Sequence, residues 1–184
     1  CPSGGSGTAS QFACAYNDGQ PIVNAPVLSV DRVGNLTINV STGDQETFTA
    51  SGTNSVWAIT EKPDSSNASP LPAYRESVTW FQKLGVNTGE RVTGPMTLFN
   101  SVLYFSTFAP VTSGGTVCDV GASYLWGVDY VSANTLGTPA SGPVARLENV
   151  DSSGNPLGTF ATKTQVGDPR TVIFGVGITQ QPSC

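Results

Sequence analysis

A chain without a single histidine has few routes to nucleophilic catalysis. No Ser–His or Cys–His pair can form, and no G-x-S-x-G elbow is present to seat a serine. The thirteen carboxylates could supply an acid–base pair, yet Asp44 with Glu46 in "STGDQET" and Glu61 with Asp64 in "TEKPDSS" sit in polar loop contexts where solvated acids are ordinary. The glycine-rich stretches "SGGSG" (3–7) and "TSGGT" (112–116) lack the Lys-Ser/Thr and helix of a phosphate cradle and read as flexible surface. The expectation is a non-enzymatic protein with no catalytic residue and no cofactor.

Metal chemistry is similarly thin. Calcium wants six to eight oxygens. "DRVGN" (Asp31, Asn35) and "DSSGN" (Asp151, Asn155) offer two side-chain donors each, so both read as hairpin turns with Gly at a positive-φ position. Cys1, Cys14, Cys118 and Cys184 are far apart and form no C-x-x-C, which favours disulfides over a tetrahedral site. Three pairings are open, and Cys1 has a lipid-modified first residue as its alternative reading. A bridge implies an oxidising compartment.

Binding is the remaining option. The inserts 61–77 and 109–123 are rich in Pro, Ser and Gly, and Tyr74 with Arg75 is an aromatic–cation pair that a partner could use as an anchor. Sequons at Asn35, Asn39 and Asn67 match the glycosylation pattern, although Asn39 lies inside a predicted strand and would need an outward face.

The elements that must position these residues are strands. Only 11% of the 184 residues are charged, Gly numbers 21 and Pro 13, and no long amphipathic helix is legible. The net charge of −5, with eight scattered cations, argues against nucleic acid as a partner. No apolar run reaches the ~18 to 20 residues of a bilayer span. β-branched and aromatic runs at 26–30, 36–41, 46–50, 55–60, 78–84, 96–99, 102–108, 124–130, 144–150 and 171–178, separated by Gly, Asn, Asp or Pro, predict an all-β fold.

The runs repeat. "IVNAPVLSVD" from Ile22 matches "RVTGPMTLFN" from Arg91, and both Pro26 with Pro95 and Trp57 with Trp126 are 69 residues apart. Each copy holds a Pro-led strand, a tight turn, a strand ending in Ser-Thr, a loop, a Trp-bearing strand and a more polar one, the grammar of a four-stranded propeller blade. The expected organisation is an N-terminal tethered segment (1–20), one blade (21–88), a second (89–170) and the start of a third (171–184), since "ITQQP" repeats the spacing of "IVNAP". Two blades do not close a ring, so the chain reads as part of a larger propeller. Trp57 and Trp126 are expected to fill the gaps between blades, with Tyr124, Val128 and Tyr130 on the Trp126 face but Val56, Ala58 and Thr60 on the face opposite Trp57.

At "GERVTGPMTLFNSVLYFSTFAPVTSGGTVCDVGASYLWGVDYVS" (89–132) the chain resembles the C-terminal propeller of type IV pilus biogenesis proteins, the PilY-type tip-associated adhesins. The likeness lies in the "GER" lead, the Pro-led strand, "YFSTFAP", a loop with one Cys and "LWGVDY"; "VGITQQP" (176–182) resembles the family's lead into a further blade. The resemblance implies an exported bacterial protein at the pilus surface that promotes pilus assembly and attachment, with pilin or minor pilins, the remaining blades and a surface or host ligand as partners. Some relatives bind calcium, but the D-x-(D/N)-x-(D/N) run that would support it is missing here. Two rivals stand beside it: a structural β-sandwich module, recognisable by Greek-key connections, and a quinoprotein-like enzyme, for which no residue is nominated.

Overall fold

A computed structural model describes residues 20–46, 50–63, 74–111, 120–133, 142–167 and 171–179. Among them there are twelve strands and no helix. The chain is therefore all-β, as its composition predicts.

The first hairpin shows how local sequence sets the pattern. β1 (Val27–Val30) and β2 (Leu36–Ser41) alternate along their length, and "DRVGN" turns the chain between them. Gly34 sits at φ 91°, a backbone region that a Cβ disfavours. The amide of Asp31 donates to the carbonyl of Asn35 at 2.9 Å, closing the turn. β3 (Asn54–Pro63) and β4 (Tyr74–Leu84) continue the sheet, giving the antiparallel order β1-β2-β3-β4 with each strand beside its sequence neighbour. A bulge between Ala58 and Ile59 pairs these with Trp80 and Val78, which turns Val78 to the face opposite Trp80.

The second sheet has the same plan. β5 (Arg91–Val92) and β6 (Thr97–Phe99) both pair with β7 (Val102–Pro110), which pairs with β8 (Gly121–Ala133). The fourth position is held by two short pieces, β9 (Pro143–Ala145) and β12 (Lys163–Gln165), each antiparallel to β8. Between them the chain leaves as a separate hairpin, β10 (Leu147–Val150) and β11 (Pro156–Ala161), turned by "DSSGN" with Gly154 at φ 84°. Gly127 marks the interruption: its carbonyl accepts from Arg146 and its amide donates to Thr162, both at 3.0 Å. Leu147 packs so close that a Cβ on Gly127 would lie 2.5 Å from it.

The core lies between the sheets. Val56, Ala58, Trp80 and Leu84 of the first face Leu103, Phe105, Trp126 and Val128 of the second, with Val92 and Met96 beside them. Tyr124 and Tyr130 pack on the same cluster, as the alternation along β8 predicts. Trp57, by the same alternation, faces away from this core, stacked on Phe81 at 4.8 Å. The two tryptophans thus hold equivalent strands and unlike surroundings.

The expected strand at 171–178 is not one. No ladder forms there, and Gly175 lies at φ 73°. The segment crosses the second sheet instead, held by side chains: Ser106 Oγ accepts from the Gly175 amide at 3.0 Å, Ser123 Oγ from the Ile173 amide at 3.2 Å, and Thr93 and Thr97 donate to the carbonyls of Ile173 and Val176. These four backbone groups are bonded without sheet pairing. Of the expected run at 46–50, residues 47–49 lie outside the described residues.

Candidate functional site

The chemistry-bearing cluster of this molecule is centred on Glu90, the middle residue of "GER". It is 2% exposed, between the two sheets. Oε1 accepts from Thr107 Oγ1 at 2.7 Å and from the Trp126 indole at 3.2 Å. Oε2 accepts from Lys163 Nζ at 2.8 Å. Lys163 also stands over the rings of Tyr124 and Trp126, 4.2 and 5.0 Å from their centroids.

The placement follows from the strands. Lys163 opens β12 directly opposite Trp126 on β8, and Trp126 lies opposite Phe105 on β7. The ion pair therefore ties β12, the piece that returns after the inserted hairpin, to the segment that joins the two sheets. Both carboxylate oxygens are engaged, so Glu90 serves as a fastening for this junction. Sequence reasoning singled out "GER" by resemblance alone; what it missed was Lys163, more than 70 residues downstream and the cation that completes the pair.

Next to Glu90, Arg91 is buried and donates through Nε to the Gly89 carbonyl and through Nη1 to the Asp44 carbonyl, both at 2.8 Å. Burial lowers its pKa, and the charge of Asp44 opposes that. Asp129 is 1% exposed; it accepts from the Arg146 guanidinium and from the Val131 amide, anchoring the start of the inserted hairpin.

Both candidate calcium turns spend their aspartates internally. Asp31 Oδ1 accepts from the amides of Val33 and Asn35 at 2.9 and 2.8 Å, and Oδ2 from Asn35 Nδ2 at 2.8 Å. Asp151 repeats this with Ser153 and Asn155 at 2.8, 2.9 and 3.0 Å. These are hairpin turns, as read from the sequence. Among the described residues, no group of three His, Cys, Asp or Glu could hold a metal ion.

The same bonds set their acidity. At Asp31 slight burial pushes the pKa up, but the donors from Asn35, Val33 and Gly34 together outweigh it and bring it below the usual carboxylate range. At Asp151 the backbone and side chain of Asn155 are the main causes of the same lowering. A carboxylate with a lowered folded-state pKa contributes stability above its unfolded value and loses it as pH falls through the folded one. Carboxyl-detected titration should place both midpoints below ~3.9, with the turn contribution disappearing only in that acid range; a midpoint at or above the free value at either residue would contradict the turn geometry.

The remaining candidates separate. Tyr74 is 55% exposed at the start of β4, and the backbone of Arg75 pairs with Lys62. Asn39 contradicts its sequon: it is fully buried, with Nδ2 donating to the Val27 carbonyl and Ser29 Oγ, so it has no outward face to modify. Asn35 commits its Nδ2 to Asp31. Asn67, Asp64 and all four cysteines, Cys1, Cys14, Cys118 and Cys184, lie outside the described residues. No helix among the described residues is long and apolar enough to cross a membrane.

Compared with protein-family models, curated proteins and solved structures, the chain matches none.

Proposed function

We propose that this chain is a non-catalytic binding and assembly module: two successive blades of a β-propeller in a PilY-type, type IV pilus tip-associated adhesin, exported by a bacterium. The observation that carries the reading is the common plan of the two sheets. Each is an antiparallel meander of four positions whose third strand bears a tryptophan, preceded by a Pro-led first strand.

Cross-strand rows support it in detail. Leu28, Ile38, Ile59 and Val78 lie side by side in the first sheet, as Leu98, Leu103, Val128 and Ala145 do in the second. Val40 beside Trp57 corresponds to Phe105 beside Trp126. Sequential hairpins produce these sheets, whereas a Greek-key sandwich would cross between its layers. The resemblance over 89–132 then supplies the pilus context, with pilin or minor pilins, the remaining blades and an attachment surface as partners. Glu90, Asp31 and Asp151 each direct their oxygens to protein donors and so serve the fold.

The test is removal of the coding sequence from its source bacterium, followed by counting surface pili and attached cells. Loss of either, restored by complementation, is the expected result. Unchanged piliation and attachment would overturn the assignment.

A further inference from the structure

The hairpin of β10 and β11 is an addition to the repeat. In the first sheet the fourth position is one continuous strand, β4, whereas in the second it is split, and the chain between the pieces leaves as a two-stranded sheet of its own. No residue of the hairpin belongs to the core between the sheets, so the packing of one sheet on the next does not require it. Its base is nevertheless fixed, because Arg146 pairs with Asp129 and Leu147 packs on Gly127 of β8.

Beyond that base the side chains are arranged the wrong way round for a solvated hairpin. Leu147 pairs with Ala161, Glu148 with Phe160 and Val150 with Pro156. By alternation Asn149 and Thr159 share the Leu147 side, where Asn149 Nδ2 donates to Thr159 Oγ1 at 3.0 Å. The opposite side holds Val150, Pro156 and Phe160, with Val150 56% and Phe160 54% exposed; Leu157, the next residue of β11, is 55% exposed. A half-buried antiparallel pair ordinarily turns its polar side to water. Here the polar pair lies on the side of Leu147, and the apolar residues face water. The strands also stop at two, a number that is marginal in water, and among the described residues the outer edge of each pairs with no other strand.

We infer that this hairpin is a docking site for an extended segment of another protein, which adds to it as a third strand and lays apolar and cationic side chains beside Val150, Phe160 and Glu148. Charge selects this occupant. From Leu147 to Thr162 the chain carries Glu148 and Asp151 and no Lys or Arg. Glu148 stands directly across from Phe160, so a cation on the partner meets a carboxylate within reach of an aromatic face. A second copy of the hairpin brings the same two acids and suits the site less well. Nucleic acid and anionic lipid, both bearing phosphates, are repelled for the same reason.

Two acetylated, amidated heptapeptides test this, TKTVTVT and TETVTVT, in which every second residue of an extended chain shares a face, so that Lys or Glu lies with both valines. In NMR titrations of the isotope-labelled 184-residue chain, the Lys peptide should shift the amides of 147–161 with a Kd of about 0.1 to 5 mM, at least about 5-fold tighter than the Glu peptide. Glu148→Lys should reverse that preference. Phe160→Ser should weaken both peptides at least about 5-fold and leave the melting temperature within about 2 °C, because the ring is exposed in the free chain. Equal affinities for the two peptides, or no shift in 147–161 up to about 5 mM, would overturn the inference. Shifts of the hairpin on concentrating the chain without peptide would also overturn it, by assigning the site to a second copy. Attachment and pilus counts do not enter these readouts, so the two proposals fail separately.

Discussion

Replacing Lys163 by methionine is expected to lower stability by about 3 kcal/mol, more than replacing its partner Glu90 by glutamine, which should cost about 1 to 2. The asymmetry comes from burial. The Glu90 side chain is 2% exposed and that of Lys163 33%. Without the ammonium, a carboxylate stays behind in the core with Thr107 and Trp126 as its side-chain donors among the described residues. Without the carboxylate's charge, Lys163 turns to water, and an amide oxygen still accepts from the indole and the hydroxyl. The double variant should therefore recover about 1 to 2 kcal/mol relative to Lys163→Met alone, because its buried amide carries no charge. Urea denaturation of the four proteins measures this. Strict additivity would show that the pair does not act as one unit.

The junction that this pair fastens was only half legible in the sequence. "GER" stands out because it precedes a Pro-led strand and because the resemblance read over 89–132 begins with it. Lys163 sits in "FATKTQ", a polar stretch with no strand pattern, and the ladder it joins is three residues long. Such short pieces have no periodicity to read; they become strands because β8 offers a free edge. β11, "PLGTFA", hides for a related reason, with Pro and Gly at positions that count against a strand. The long strands were readable, since "LTINVS", "VLYFSTF" and "LWGVDY" pair β-branched or aromatic residues with bounding turn signals.

The run "TVIFGVGI" misleads in the other direction. Its composition is that of a buried strand, yet its bonds go to hydroxyls of Thr93, Ser106 and Ser123 on the sheet beneath. Those hydroxyls are scattered over 30 residues of sequence, so no local window contains the signal. The turns "DRVGN" and "DSSGN" are the converse: five residues hold the whole mechanism, and both were correctly read as turns with glycine at positive φ.

Trp126→Ala is expected to cost about 4 to 5 kcal/mol, at the upper end for a truncated aromatic, and Trp57→Ala about 3. Trp126 is 3% exposed, stacks on Phe105 at 5.5 Å and supplies an indole donor to Glu90. Its loss leaves a cavity between two sheets and strips a bond from a buried carboxylate. Trp57 is also buried, 8% exposed and stacked on Phe81 at 4.8 Å, so its truncation likewise removes packed aromatic surface and leaves a void. Urea denaturation of the two variants measures both costs, and a loss below about 2 kcal/mol for Trp126→Ala would contradict its place at the centre of the core and of the Glu90 cluster.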